Sequence, residues 1–375
     1  MAYERIDRGR VRVQPLAARA SKHTLAEVRL DPDGPLPPID PPLAAAVDRV
    51  AGEVRRARGR GAAVILAYGA HLVKNGLGPT VARMLEGGWV THLATNGAGA
   101  IHDWEYAFQG ASEEDVRAHV AAGCFGTWDE TGRSAAIAVL CGALEGMGYG
   151  ESMGRFIWEE GCPVPGTGAL ERALAGWAGD GGPDELMPAR AELLHFLRRC
   201  PLPAGRLRLP HPHREFSLAA QAYRRRVPLT VHPGIGYDII YTHPLASGAA
   251  MGRAGDIDFQ VMARSVSRLE GGVFLSVGSA IMAPQVFEKA LSVANNLRRQ
   301  DGLGPLAPFI VVNDLVAVEW DWSRGEPPAD SAAYYVRFCK SFSRMGGELL
   351  YAGGDNRTFV RHLAARLQSE TGSPN

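Results

Sequence analysis

The sequence predicts an α/β fold, a Rossmann-like parallel sheet flanked by helices, and three observations carry that expectation. Short unbroken apolar runs, of which residues 62–68 are the clearest, suit strands buried on both faces. Segments with apolar residues at helical spacing separate these runs, and such alternation implies right-handed crossovers within one sheet. Each run ends on small or polar residues, where an open parallel sheet collects its ligands.

Residues 1–42 are rich in Pro, Asp and Arg without periodicity. They are expected to form an arm that wraps the domain or a neighbouring subunit, with 43–375 as one nucleotide-binding domain. Leu43, Val47, Val50 and Val54 recur at helical spacing and predict a first helix over 43–58. The strand at 62–68 follows. Helix 79–86 leads to strand 90–95, and helices 193–199 and 218–226 lead to strand 227–232. Helix 256–268 precedes strand 272–277, and helix 284–298 precedes strand 308–312. The stretch 176–188, rich in Gly, Asp and Pro, reads as an inserted surface loop.

Composition narrows the function classes. Apolar residues make up 46% of the 375, enough for a large core. Lys plus Arg and Asp plus Glu number 40 each. No global positive field exists to gather nucleic acid or an anionic membrane, so neither is an expected partner. The first residues lack the apolar stretch of a secretory signal, and the expected location is the cytoplasm. Five cysteines (Cys124, Cys141, Cys162, Cys200, Cys339) are scattered without a CxxC pair, which argues against disulfides or a zinc knuckle.

The predicted strand ends carry the candidate chemistry. Gly69 to Gly78 follows the first strand and Asn96 to Asp103 the second. His232-Pro233-Gly234-Ile235-Gly236-Tyr237-Asp238 follows the third, Gly278-Ser279 the fourth and Asn313-Asp314 the fifth. Glycines there let backbone N–H groups approach a pyrophosphate, or merely make tight turns. Several on one sheet edge favour the nucleotide site. The GxGxxG fingerprint of common dehydrogenases is absent.

In order and approximate spacing, several blocks resemble deoxyhypusine synthase. They are residues 65–77, the Thr95-Asn96-Gly97-Ala98-Gly99 turn, 227–243, and the stretch from Gly272 through Gly278-Ser279 to Gly353-Gly354-Asp355-Asn356. The resemblance covers most of the chain after residue 43. It implies a Rossmann-like fold, NAD as cofactor, and a homotetramer with sites between subunits. By the family pattern Thr95, Asn96, Gly97 and Ala98 match a cofactor-contacting turn, and Asn75 and Gly76 lie near the first cofactor loop. Gly278 and Ser279 stand at a triple-glycine turn, Asp314 ends the fifth strand, and Asp355-Asn356 closes the site. Asp238 matches a residue that holds the polyamine. Lys340 falls near the imine-forming lysine.

The departures matter as much. A second polyamine-binding aspartate is replaced by Pro233, a Glu pair by Ile101-His102, and the family's active-site histidine has no counterpart in Ile281-Met282-Ala283-Pro284. A desolvated ammonium must be paired, so losing these charges argues against spermidine as substrate. The chain reads as a divergent relative, not a true deoxyhypusine synthase.

Among individual residues, His102 suits proton transfer near neutrality, with Asp103 beside it, or else caps the following helix. His232 and His243 flank Asp238 and are candidates for catalysis and substrate binding. Their spacing lacks a zinc signature, and no metal is expected. Lys340, beside Phe338 and Phe342, would have a lowered pKa and form a Schiff base, or is a surface lysine on a 334–342 helix. Lys74 reads as a phosphate or substrate contact, Glu105 and Glu130 as polar contacts. Trp104, Trp128, Trp320 and Trp322 wall a pocket or serve packing. His211 and His213 are expected to be exposed. The leading function is an NAD-dependent enzyme acting on a small amine, amino acid or hydroxylated metabolite. The alternative is a non-catalytic nucleotide-binding or regulatory protein that keeps the fold.

Overall fold

The computed structural model describes residues 3–180, 184–316 and 319–369. Six parallel strands form the main sheet: β1 (Val64–Tyr68), β2 (His92–Asn96), β3 (Leu229–His232), β4 (Val273–Val277), β5 (Phe309–Asp314) and β6 (Glu348–Gly353). They lie side by side as β6-β5-β4-β1-β2-β3. Read from the opposite edge this is 3-2-1-4-5-6, the doubly wound order whose direction reverses between β1 and β4. The five predicted apolar runs are β1 to β5, each shifted or trimmed by a residue or two. The sixth strand was not anticipated, because at the sheet margin Glu348 and Gly353 are exposed and only Leu349 and Ala352 are buried.

Alternation along each strand sends neighbours to opposite faces. Val64, Leu66, Leu275 and Val311 pack on one side against the helix Pro41–Gly59 and the helix Asn356–Ser369. Ile65, Ala67, Phe274, Ile310 and Val312 pack on the other against Gly248–Val266, Met282–Gln300 and Arg337–Ser343. Among the described residues no helix is long and apolar enough to cross a membrane.

A large helical segment joins β2 to β3. It begins with the helix Gly97–Gln109 and includes Asp129–Gly142, Tyr149–Trp158, Met187–Arg199 and Leu218–Arg224, with an antiparallel ribbon of Gly161–Val164 and Gly205–Arg208. The stretch 176–188 is only partly a loop. The helix Thr167–Asp180 runs through its first residues, held by buried Leu170, and Met187 starts the next helix. Residues 181–183 lie outside the described residues.

The amino-terminal arm wraps its own domain. His23–Thr24 pairs antiparallel with Ala111–Ser112, Leu16 is buried, and the Arg8 guanidinium donates to the Tyr241 and Ala246 carbonyls. Gly76 receives the arm. Its φ is +75°, Leu30 N–H donates to its carbonyl, and a Cβ there would stand 1.7 Å from the Val28 carbonyl oxygen. Gly76→Ala adds a left-handed cost of about 1–2 kcal/mol to that clash. We expect a lower urea midpoint and faster proteolysis of the arm; an unchanged digestion pattern would count against this contact.

Candidate functional site

The turns after β1, β4, β5 and β6 meet at the carboxyl edge of the sheet. Gly69 N–H donates to the Val277 carbonyl, Gly278 N–H to Asn313 and Gly354 N–H to Asp314. A Cβ on Gly69 would lie 2.0 Å from the Gly278 carbonyl oxygen, so only glycine lets these two turns touch. Gly278 itself has φ +57° and space around it. Asn75 Nδ2 donates to Asn356 Oδ1 at 2.8 Å, bridging the turns after β1 and β6. Between this bridge and the arm lies a cavity of about 430 Å³, lined by His23, His71, Lys74, Asn75, Arg357 and the carboxylates of Glu27 and Glu113.

A second cavity, of about 320 Å³, adjoins the first. Ala98, Ile101 and His102 reach it from the helix Gly97–Gln109, Tyr237 and Asp238 from the turn after β3, and Arg19 and Lys22 from the arm. Lys74 and Glu113 line both cavities, and their ion pair, at 2.7 Å, stands between them.

The second cavity sets a cluster of charged and hydrogen-bonded side chains among apolar ones. Arg19 donates to both Glu105 oxygens at 2.8 and 2.7 Å, and Thr131 and Ser112 hydroxyls add bonds at 3.0 and 2.5 Å. His102 Nδ1 lies 2.7 Å from Ser112 Oγ, and burial pushes the imidazole down to about 4. It is neutral at physiological pH. Asp238 accepts from Gly234 N–H at 2.7 Å, and burial pushes its carboxyl up to about 6. Its carboxylate rests on the first turn of the helix Gly97–Gln109, where a Cβ on Gly97 would meet it at 2.5 Å.

The structure thus places Asn75 at one cavity, with Asn356 bonded to it and Gly278 next to Asn356, and Ala98, His102, Glu105 and Asp238 at the next. Other expected ligand-binding groups are spent on the fold. Thr95 Oγ1 donates to the Tyr68 carbonyl, and Asn96 caps its helix by accepting from Gly99 N–H. Ser279 Oγ accepts from Ala283 N–H, Asp314 from Val316 N–H, and Asp355 from Arg357 and Thr358 N–H. The room beside Gly76 belongs to the arm.

Several expectations need correction. Asp103 is buried away from both cavities and caps the helix Leu218–Arg224, accepting from Ser217 Oγ, Leu218 N–H and Ala219 N–H. His232 joins a buried chain: its Nε2 bonds Thr230 Oγ1, which bonds His92 Nε2, while His92 Nδ1 bonds Ser265. His243 packs on Gly132, its Nε2 3.7 Å from Asp129 Oδ1. Among the described residues neither His232 nor His243 bonds Asp238, and no His, Cys, Asp or Glu cluster is arranged to hold a metal.

Lys340 does not line either cavity. Its Nζ is 3.3 Å from Glu326 Oε1 and 3.2 Å from the Tyr334 ring centroid, so the amine is paired rather than bare. Glu130 accepts from Leu16 N–H and anchors the arm. Trp104 stacks on Phe108, the Arg19 guanidinium lies over Trp128, and Trp320 and Trp322 stand in the segment after β5, so none walls the site. His213 is exposed, whereas His211 is fully buried within the rings of Trp104, Phe108 and Phe156. Arg19, Ser112 and Glu113 escaped the sequence reading, and Tyr237 entered it only as part of its turn. They belong to no motif, and only the paired arm and the following turn bring them to the cavity.

No protein-family model matches the chain, and no curated protein matches it. Among solved structures it is similar to the ternary complex of AgrE with ornithine and NAD+, at 14% identity and a TM-score of 0.44, covering 89% of this chain and 34% of that one. It is similar to apo ArgZ, an arginine dihydrolase from the ornithine-ammonia cycle in cyanobacteria, at 13% identity and a TM-score of 0.42, covering 87% and 33%. A structure described as a deoxyhypusine synthase from Entamoeba histolytica aligns at 8% identity and a TM-score of 0.36, covering 89% and 91%. The chain spans about a third of the length of the first two.

Proposed function

We propose that the protein is an NAD-dependent enzyme that acts on a small polar amine, amino acid or hydroxylated metabolite. The reaction class is transient oxidation to an imine or carbonyl, followed by transfer, elimination or cyclisation. One observation carries this reading: two cavities adjoin at the carboxyl edge, one beside the Asn75–Asn356 bridge between the turns after β1 and β6 and one lined by acid–base groups. Doubly wound sheets take dinucleotides at their carboxyl edge, and that both cavities open on this edge supports the reading.

The residues present fit the cofactor. Gly278 leaves an open, left-handed turn beside Asn356, and His71 and Arg357 offer donors to a pyrophosphate, with Lys74 held by Glu113 beside them. Gly69, Asn75, Gly278, Asn356 and Arg357 would hold NAD, which supplies hydride acceptance when bound. In the second cavity Asp238 has no cationic partner among the described residues and pairs with a substrate ammonium or accepts a hydroxyl. His102 moves the proton. Lys340, paired with Glu326, takes no part.

Calorimetric titration with NAD tests this. We expect saturable binding, weakened at least tenfold (about 1.4 kcal/mol) by Gly278→Val, and NADH absorbance with a member of the substrate class. Absent NAD binding overturns the proposal. The internal bonds that consume Thr95, Asn96 and Ser279 favour the second reading, a non-catalytic nucleotide-binding protein. Binding without turnover across amines, amino acids and hydroxy acids selects it.

The proposal includes a homo-oligomer, a tetramer by the family resemblance. Exposed Ile235, Tyr237, Ile281 and Leu315 on turns at the same edge support association. Light scattering that finds only monomer overturns this part.

A further inference from the structure

We propose that His102 is held as a proton acceptor through Nε2 by a relay of Ser112 and Glu105, with Arg19 of the arm clamping the far end. This deepens the enzyme reading above and rests on it for its role in turnover.

The argument is one of counting protons. Arg19 donates only, and it reaches both oxygens of Glu105, at 2.8 and 2.7 Å. Thr131 Oγ1 adds a third donor. Glu105 is therefore the acceptor in its 2.5 Å contact with Ser112, whose single hydroxyl hydrogen is thereby used. Ser112 Oγ then has only lone pairs for His102 Nδ1, 2.7 Å away. Nδ1 must carry the ring hydrogen. In the neutral imidazole that leaves Nε2 as a lone-pair acceptor, with no partner among the described residues and the cavity beside it.

The groups facing the ring agree with this state. Glu105 and Glu113 favour its protonation, while Lys74 and Arg19 oppose it, and burial outweighs them. Lys22, Glu114, Tyr237 and Asp238 are the other titratable groups of the cavity lining, and Glu114 is occupied by His119, Trp128 and Gly126. In the proton step the substrate O–H or N–H bond breaks, its electron pair stays on the heteroatom, and the proton forms the Nε2–H bond. Ser112, Glu105 and Arg19 are positioning residues. They fix which nitrogen is free and hold the ring at the helix Gly97–Gln109, and they touch no reacting atom.

The tautomer is readable without any ligand. Histidine-selective 15N labelling of the full chain gives ring-nitrogen spectra, with the His102 signals assigned by their loss in His102→Gln. We expect Nδ1–H with bare Nε2 in the native protein at pH 7, a shift towards Nε2–H in Ser112→Ala, and return to Nδ1–H in Ser112→Thr. Protonated Nε2 in the native protein overturns the relay, and so does an unchanged spectrum in a folded Ser112→Ala variant. If that variant fails to fold, the native spectrum alone decides. With a substrate in hand, Ser112→Ala is expected to lower kcat at least tenfold with little change in KM, and a KM effect alone contradicts the relay. NAD titration of the native protein tests the enzyme reading separately. Its failure removes the catalytic role and leaves the tautomer result standing.

Discussion

Replacing Arg19 with methionine is expected to lower the free energy of unfolding by about 3–5 kcal/mol. Only 2% of its side chain and 1% of that of Glu105 reach solvent, so the variant strands a desolvated carboxylate on the Ser112 and Thr131 hydroxyls. The double variant Arg19→Met with Glu105→Met is expected to recover most of the loss, because no buried charge is left unpaired. Urea denaturation of the four proteins in that cycle measures the coupling. An equal loss in the single and double variants would mean that arm packing, not the ion pair, sets the cost.

Asp258→Ala is expected to cost about 2–4 kcal/mol, the loss of two buried N–H partners less the relief of removing a buried carboxylate. Asp258 Oδ2 accepts from Val231 N–H of the edge strand β3 at 2.7 Å, and from Gly150 N–H in the first turn of the helix Tyr149–Trp158 at 2.9 Å. It closes the sheet margin and caps the inserted helix at once. Burial, aided by Glu151, pushes its carboxyl up to about 7 from 3.8. Between those values the folded state binds the extra proton. The stabilisation linked to it is complete below pH 3.8 and is lost as pH rises through about 7. The penalty of Asp258→Ala should therefore be larger at pH 5 than at pH 8 in paired urea titrations. A penalty that grows with pH contradicts the assignment.

These two positions also mark what the sequence leaves unreadable. β1, β4 and β5 are legible because each is a largely apolar run buried on both faces. β2 and β3, which carry His92, Thr95, Thr230 and His232, are legible through the helices before them, whereas β6 lies at a margin where only Leu349 and Ala352 are buried. The helix Asp129–Gly142 is buried on nearly every side from Ser134 onward and so presents no amphipathic stripe. Within the site, residue type reveals chemical capacity but not the partner that consumes it. Asp103 and His102 are adjacent and equally reactive on paper; one caps a distant helix and the other lines a cavity. Arg19 lies 86 residues from Glu105, and no local pattern connects them. His211 sits among prolines that read as surface, yet three aromatic rings enclose it. The carboxyl-edge glycines were legible because their requirement is steric and local.

Asn75 and Asn356, whose side chains bridge two turns, are 281 residues apart in the chain. A ribosome completes the first of these turns long before the residue that braces it has been made. Until the helix Asn356–Ser369 emerges and docks on Pro41–Gly59, with Arg366 against Asp48 at 2.8 Å, the space under the arm lacks a wall. Translation thus postpones any ligand capture there until that helix has been made, and a nascent polypeptide stalled earlier carries most of the sheet but no finished pocket.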